Sequence, residues 1–172
     1  MAEIMLKART AFDGLLKPVG KSGTAGVRVR ERADLSLATV LVRKGQGGAL
    51  ASKVKDSLSL ELPTTPARVA SGDLAFVATG RGAWLAVREG GGYGLAPELA
   101  RTLDGLASVS DQTDGFAVLR LAGRNVRDVL AKGAHIDLHS DVFQVGAAAV
   151  TDASHIGITL WRLPDEGGDP VF

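Results

Sequence analysis

Cysteine is missing from all 172 residues. That excludes disulfide bridges, thiolate nucleophiles and cysteine-ligated zinc, and it fits a reducing compartment. Aromatic residues are scarce at 5%, so a core has to be assembled from Val, Leu and Ala. No apolar run reaches the roughly 18 residues that a membrane-spanning helix needs. The opening MAEIMLKARTAF holds no long apolar segment of the kind a secretory signal carries. Charge of one sign is also lacking. Twenty basic side chains against 19 acidic ones leave a formal net charge of +1, whereas nucleic-acid binding calls for a clustered basic face. No Ser stands in a Gly-x-Ser-x-Gly elbow.

What the chain has in quantity is glycine, 22 residues, together with a hydrophobic fraction of 45%. Many turns between short apolar elements are therefore expected. Phe12, Leu15 and Leu16 would anchor a helical turn in the lead-in, and Pro18 to Gly26 reads as a loop. Val27 to Arg32 alternates apolar and charged residues, as a half-exposed strand does. Its Arg28, Arg30 and Arg32 share one face, either a solvated sheet face or a contact for an anion or a partner. Leu35 to Val42 reads as a second strand, more buried towards its end. Gly45-Gln46-Gly47-Gly48 precedes a helix with Leu50, Val54 and Leu58 at helical spacing. Such a loop is able to cradle a phosphate, but no dinucleotide or Walker-type fingerprint is completed in it. Leu60 to Ala70, with Pro63 and Pro66, reads as a connection. Leu74 to Thr79 and Ala83 to Arg88 are strands joined by Gly80-Arg81-Gly82, a hairpin signal. Pro97 suits the first turn of a helix carrying Leu99, Leu103 and Leu106.

The densest stretch runs from Ser110 to Asp141. Phe116 to Leu121 is apolar on nearly both faces, the pattern of an interior strand. Gly123 ends it at a junction so tight that a positive φ or a close backbone approach is expected. Arg124 to Lys132 carries Val126, Val129 and Leu130 at helical spacing. Gly133 stands where a left-handed cap would close the helix. Ile156 to Leu163 alternates again, Asp165 to Pro170 is a turn, and Val171-Phe172 reads as the start of a further strand.

Three groupings have chemical potential. His135, Asp137, His139 and Asp141 alternate with Ile136 and Leu138; in an extended segment all four would share a face and suit zinc or manganese. The alternation equally describes a surface segment pinned by its apolar side. Ser110, Ser140 and Ser154 each lie near a His in sequence, and Ser154 is followed directly by His155; neighbours on a strand point to opposite faces. Asp111 and Asp114 would make an acid/base pair, although Asp beside Gly115 more commonly forms a turn by accepting backbone N–H groups.

Leu121, Gly123, Val126-Arg127-Asp128-Val129-Leu130-Ala131-Lys132-Gly133 and Asp137-Leu138-His139 together resemble the gamma subunit of heterotetrameric sarcosine oxidase. Gly82-Ala83-Trp84-Leu85 resembles a hairpin of the same family. More distantly the stretch is similar to the folate-binding domain of glycine-cleavage aminomethyltransferases. The resemblance implies an α+β fold of the folate-binding aminomethyltransferase-like kind, two β-rich halves with helices packed on antiparallel or mixed sheets. An extension over 1–26 would precede a domain over 27–172, with halves of roughly 27–106 and 107–172. It further implies a bacterial, cytoplasmic complex of alpha, beta, gamma and delta subunits that oxidatively demethylates sarcosine to glycine. That complex releases peroxide and passes the one-carbon unit to tetrahydrofolate. FAD, FMN, NAD and tetrahydrofolate are then expected on the alpha and beta chains, and direct contact of this chain with alpha. In this chain no catalytic, cofactor-binding or metal residue is expected, Asp111 included, although it loosely matches an Asp of the folate domains. The alternative is a free-standing tetrahydrofolate-binding module.

Overall fold

Both faces of one strand are covered, and the rest of the molecule follows from that. In the computed structural model, which describes residues 9–17, 19 and 25–172, β2 (Leu35–Val42) lies between β5 (Ala83–Glu89) and β6 (Ala107–Asp111). With β3 (Arg68–Ser71) and β4 (Leu74–Gly80) they form a five-stranded sheet ordered β3-β4-β5-β2-β6. Side chains alternate across a strand. Ala38, Val40, Phe76, Trp84 and Ala86 therefore face one way, and Leu35, Leu37, Val77, Leu85 and Val87 the other. The first face is covered by α1 (Gly47–Leu58) and α2 (Leu95–Thr102). Leu50 and Val54 of α1 and Leu99 of α2 are fully buried there; each burial is worth about 1.5–3 kcal/mol. Trp84 Nε1 donates to the Pro63 carbonyl at 2.8 Å, which ties the proline-rich connection to the same core.

A second sheet runs β1-β7-β11-β10, built from β1 (Arg28–Glu31), β7 (Leu119–Ala122), β10 (Leu163–Glu166) and β11 (Asp169–Val171). β8 (Ala148–Ala153) and β9 (Ile156–Trp161) make a separate hairpin. Ala148 and Trp161 of that hairpin close the second face of the large sheet. Its Leu160 joins Val126, Leu138, Phe143 and Phe172 in a third cluster around α3 (Val126–Leu130). All these strand pairs are antiparallel. The architecture is thus mixed α+β with mostly antiparallel sheets and few helices.

Several expectations need correction. β2 is buried at its start, Leu35 to Ala38, while Leu41 near its end is 48% exposed; the hairpin closes over the beginning of the strand. Phe116 to Val118 are not strand, and Phe116 is 50% exposed. Gly115 N–H donates to the Gln112 carbonyl at 2.9 Å, so the chain is still turning there. The strand is nonetheless interior in its pairing, with β1 on one side and β11 on the other. The helix over 124–132 shrinks to Val126–Leu130, and Val129 is exposed. Gly133 is not in the left-handed region. The helix winds down through tight turns instead, with Gly133 N–H and Ala134 N–H both donating to the Leu130 carbonyl. The connection over 60–70 ends in a strand, β3; the helix expected to carry Leu103 and Leu106 ends at Thr102, and a strand not expected there, β6, starts at Ala107. The turn at 165–170 lies within the β10–β11 pair. Ala11 to Leu15 form turns, and the loop expected over 18–26 falls largely outside the described residues.

Candidate functional site

One surface groove lies where the start of β2 meets the loops after β5 and β6. It has a volume of about 760 Å³ and is walled by Arg32, Leu37, Tyr93, Asp114, Phe116 and the short segment Arg9–Ala11. Arg32, whose side chain is only 10% exposed, donates to Asp34 at 2.7 Å and also to Glu89. Those bonds hold Arg32 above its ordinary pKa and, from the other side, Asp34 below the usual carboxylate value. Tyr93 hydroxyl donates to Asp114 at 3.0 Å, which raises the phenol pKa. Glu31 accepts from Thr10 hydroxyl at 2.6 Å and from Phe12 N–H at 3.2 Å, tethering the N-terminal segment along the rim. The groove therefore offers two aromatic faces beside paired charges, a surface suited to binding. The charged groups lining it, Arg9, Glu31, Arg32 and Asp114, are each bonded to another side chain.

The second groove, of about 580 Å³, is lined by Arg127, Ser140, Gln144, Val145, Arg162, Asp165 and Pro170. Arg162 is 4% exposed. Its Nη1 donates to the carbonyls of Leu163 and, at 3.0 Å, Val171, and its Nη2 pairs with Asp165. Its Nε finds no hydrogen-bond partner among the described residues. Arg127 donates to the Leu138 carbonyl. Both guanidiniums stand 5.2 Å from the centre of the Phe172 ring, which stacks on Phe143. Sequence reasoning missed this grouping. A signal was present, since Ile158, Leu160 and Arg162 share one parity and the first two belong to the third core cluster.

The singled-out residues scatter. No strand forms over 135–141, and among the described residues no three His, Asp or Glu side chains converge as a metal site would require. His135 Nδ1 faces Asp152 at 3.0 Å. Asp137 accepts the His139 N–H at 2.8 Å, and His139 Nδ1 accepts the Asp141 N–H at 3.3 Å. These are local turn bonds. Ser154 and His155 are not on a strand; with φ of 49° and 72° they are the turn of the β8–β9 hairpin. Ser140 donates to Asp141 at 3.4 Å, and Ser110 sits opposite Thr39 on the exposed side of β6. Asp111 accepts the Thr113 N–H at 2.8 Å, an Asx turn that keeps its pKa low, while Asp114 bonds to Tyr93. Among the described residues no hydrogen bond joins the two. Gly45 takes φ of 78° and leads through Gln46 into α1 as a strand-to-helix turn. Arg28 pairs with Asp169 at 3.3 Å, Arg30 lies opposite Arg120, and Arg32 turns inward, so the three do not form one basic face.

No curated protein matches the chain. The backbone is similar to a chain of the heterotetrameric sarcosine oxidase from Corynebacterium sp. U-96, solved in complex with pyrrole 2-carboxylate. That likeness has a TM-score of 0.70 and 25% sequence identity, and it covers 84% of this chain and 73% of that one. The model of the sarcosine oxidase gamma subunit family matches residues 44–159, which include four of the five strands of the large sheet (β3, β4, β5 and β6), α1, α2, α3 and most of the β8–β9 hairpin. The Gly82–Leu85 hairpin and the 121–139 stretch fall inside that match, and the chain belongs to the sarcosine oxidase gamma subunit family.

Proposed function

We propose that this chain is the non-catalytic gamma subunit of a cytoplasmic, bacterial heterotetramer that oxidatively demethylates sarcosine to glycine. In that complex it docks directly on the alpha subunit, with beta and delta completing the assembly. FAD, FMN, NAD and tetrahydrofolate reside on the alpha and beta chains. No residue here is catalytic, and none binds a cofactor or a metal. Residues 27–172 act as one folate-binding aminomethyltransferase-like body of two β-rich halves, roughly 27–106 and 107–172, behind an extension over 1–26. The observation that carries this reading is the family match over 44–159. It is supported by the local pairing of the side chains with chemical potential, Asp111 with its own turn, Asp114 with Tyr93 and His135 with Asp152. Coexpression with the neighbouring genes, followed by an absorbance spectrum and a peroxide assay with sarcosine, tests it. The chain alone is expected to be colourless and inactive, and the purified assembly yellow and active. Flavin absorbance or sarcosine-dependent peroxide from the chain alone would overturn it.

A second reading, a free-standing tetrahydrofolate-binding module, draws on the groove between Tyr93, Phe116 and Arg32, which suits a flat, polar-edged ligand. Calorimetry with tetrahydrofolate discriminates: a module binds it without partners, a scaffold does not.

A further inference from the structure

The smaller groove holds an unbalanced charge. Its lining carries two guanidiniums, Arg127 and Arg162, and one carboxylate, Asp165. Asp165 is engaged by Arg162. Arg162 is otherwise spent on the carbonyls of Leu163 and Val171, which hold β10 against β11, so its charge is fixed in place by the fold. Arg127 is different. Among the described residues it makes one hydrogen bond, to Leu138, and a guanidinium has five N–H donors. Stacking on Phe172 sets its direction. Burial, and then the Arg162 charge beside it, hold Arg127 below its ordinary pKa. Two cations near one carboxylate leave one positive charge, which a monoanion neutralises and a phosphate dianion overshoots. A carboxylate also matches the planar fork of an arginine. Beside this charged centre the lining holds two uncharged polar side chains, Ser140 and Gln144, and two apolar ones, Pro170 and Val145, the latter 56% exposed. An accessible arginine with unused donors beside an exposed apolar side chain, edged by polar groups, suits a protein interface, where arginines are enriched.

We propose that the Arg127–Arg162 groove, edged by Val145, docks an acidic side chain, Asp or Glu, of another chain of the complex, with Arg127 as its ligand. This rests on the reading that the chain assembles with other subunits. The test is recovery of partner chains by the tagged, full-length protein in coexpression, with the melting temperature of each preparation as the check on folding. Arg127→Gln is expected to lower the affinity at least tenfold, Arg127→Lys less, and Arg127→Glu to abolish recovery. Replacing one partner carboxylate by Lys should restore the Arg127→Glu variant. Val145→Asp places a like charge at the rim of the groove without touching the core. It should reduce recovery as Arg127→Gln does, at an unchanged melting temperature, which covers the case where Arg127→Gln disturbs the fold. Normal recovery with Arg127→Gln or Val145→Asp would overturn the proposal while the subunit reading stands, as would failure of every partner charge swap. If the unaltered chain recovers no partner at all, the subunit reading itself falls.

Discussion

Gly123→Ala is the perturbation whose outcome follows most directly from the backbone. Gly123 has φ of 139°, a conformation that L side chains rarely adopt. Holding a non-glycine residue in so sparse a region costs about 1–3 kcal/mol. The added Cβ would also run into the carbonyl oxygen of Gly26 and stand 3.0 Å from Val27 Cα. Both obstacles are backbone, so neither clears by changing rotamer. Relief means moving the lead into β1 away from α3, and that move stretches the Asn125 N–H bond to the Gly26 carbonyl, now 3.0 Å. One such bond is worth about 0.5–1.5 kcal/mol. The sum is about 2–4 kcal/mol, against a total stability of about 5–15 kcal/mol for a domain. At about 2–4 °C per kcal/mol for a chain of this size, the melting temperature should fall by about 4–16 °C. A thermal melt followed by circular dichroism reads it, and Gly123→Val should fall further. A Gly123→Ala protein melting within 1 °C of the parent would refute both the strain and the contact argument.

His155→Gly should raise stability by up to about 1 kcal/mol, because the β8–β9 turn holds Ser154 and His155 at positive φ, where glycine carries no penalty; the same melt shows it. Trp84→Phe should cost about 1–3 kcal/mol in urea unfolding by leaving the Pro63 carbonyl without its donor. Glu98 bonds to Arg88 at 2.7 and 2.8 Å, which lowers its pKa. A depressed carboxylate stabilises the fold above its unfolded pKa, so that stability should fade as pH drops below about 4; an Arg88→Gln protein with an unchanged acid limb would count against this. Asp111→Asn should leave turnover of the assembled complex unaltered, since Asn forms the same turn; steady-state peroxide release is the readout.

Local pattern alone determined much of this protein. The apolar run Leu35 to Val42, the spacing of Leu50 and Val54, and the glycines at 80 and 82 lead to β2, α1 and the β4–β5 hairpin because each signal lies within a few residues. The tight corner at Gly123 was legible for the same reason: a strand running straight into a helix leaves room for no side chain. Tertiary structure decided the rest. β3 and β6 carry little apolar pattern of their own and exist because β4 and β2 offer them unpaired edges. The burial of β2 at its start, rather than its end, depends on a hairpin more than 100 residues later in the chain. The His135–Asp141 spacing suggested a shared face only if the segment were extended, and the turns around it separate those side chains. Neither groove was visible in the chain order. Arg32, in the turn before β2, meets Glu89 at the end of β5, and Arg127 meets Arg162 only because both pack on Phe172. Contacts between residues this far apart are set by how the sheets close, which no window of neighbouring residues contains.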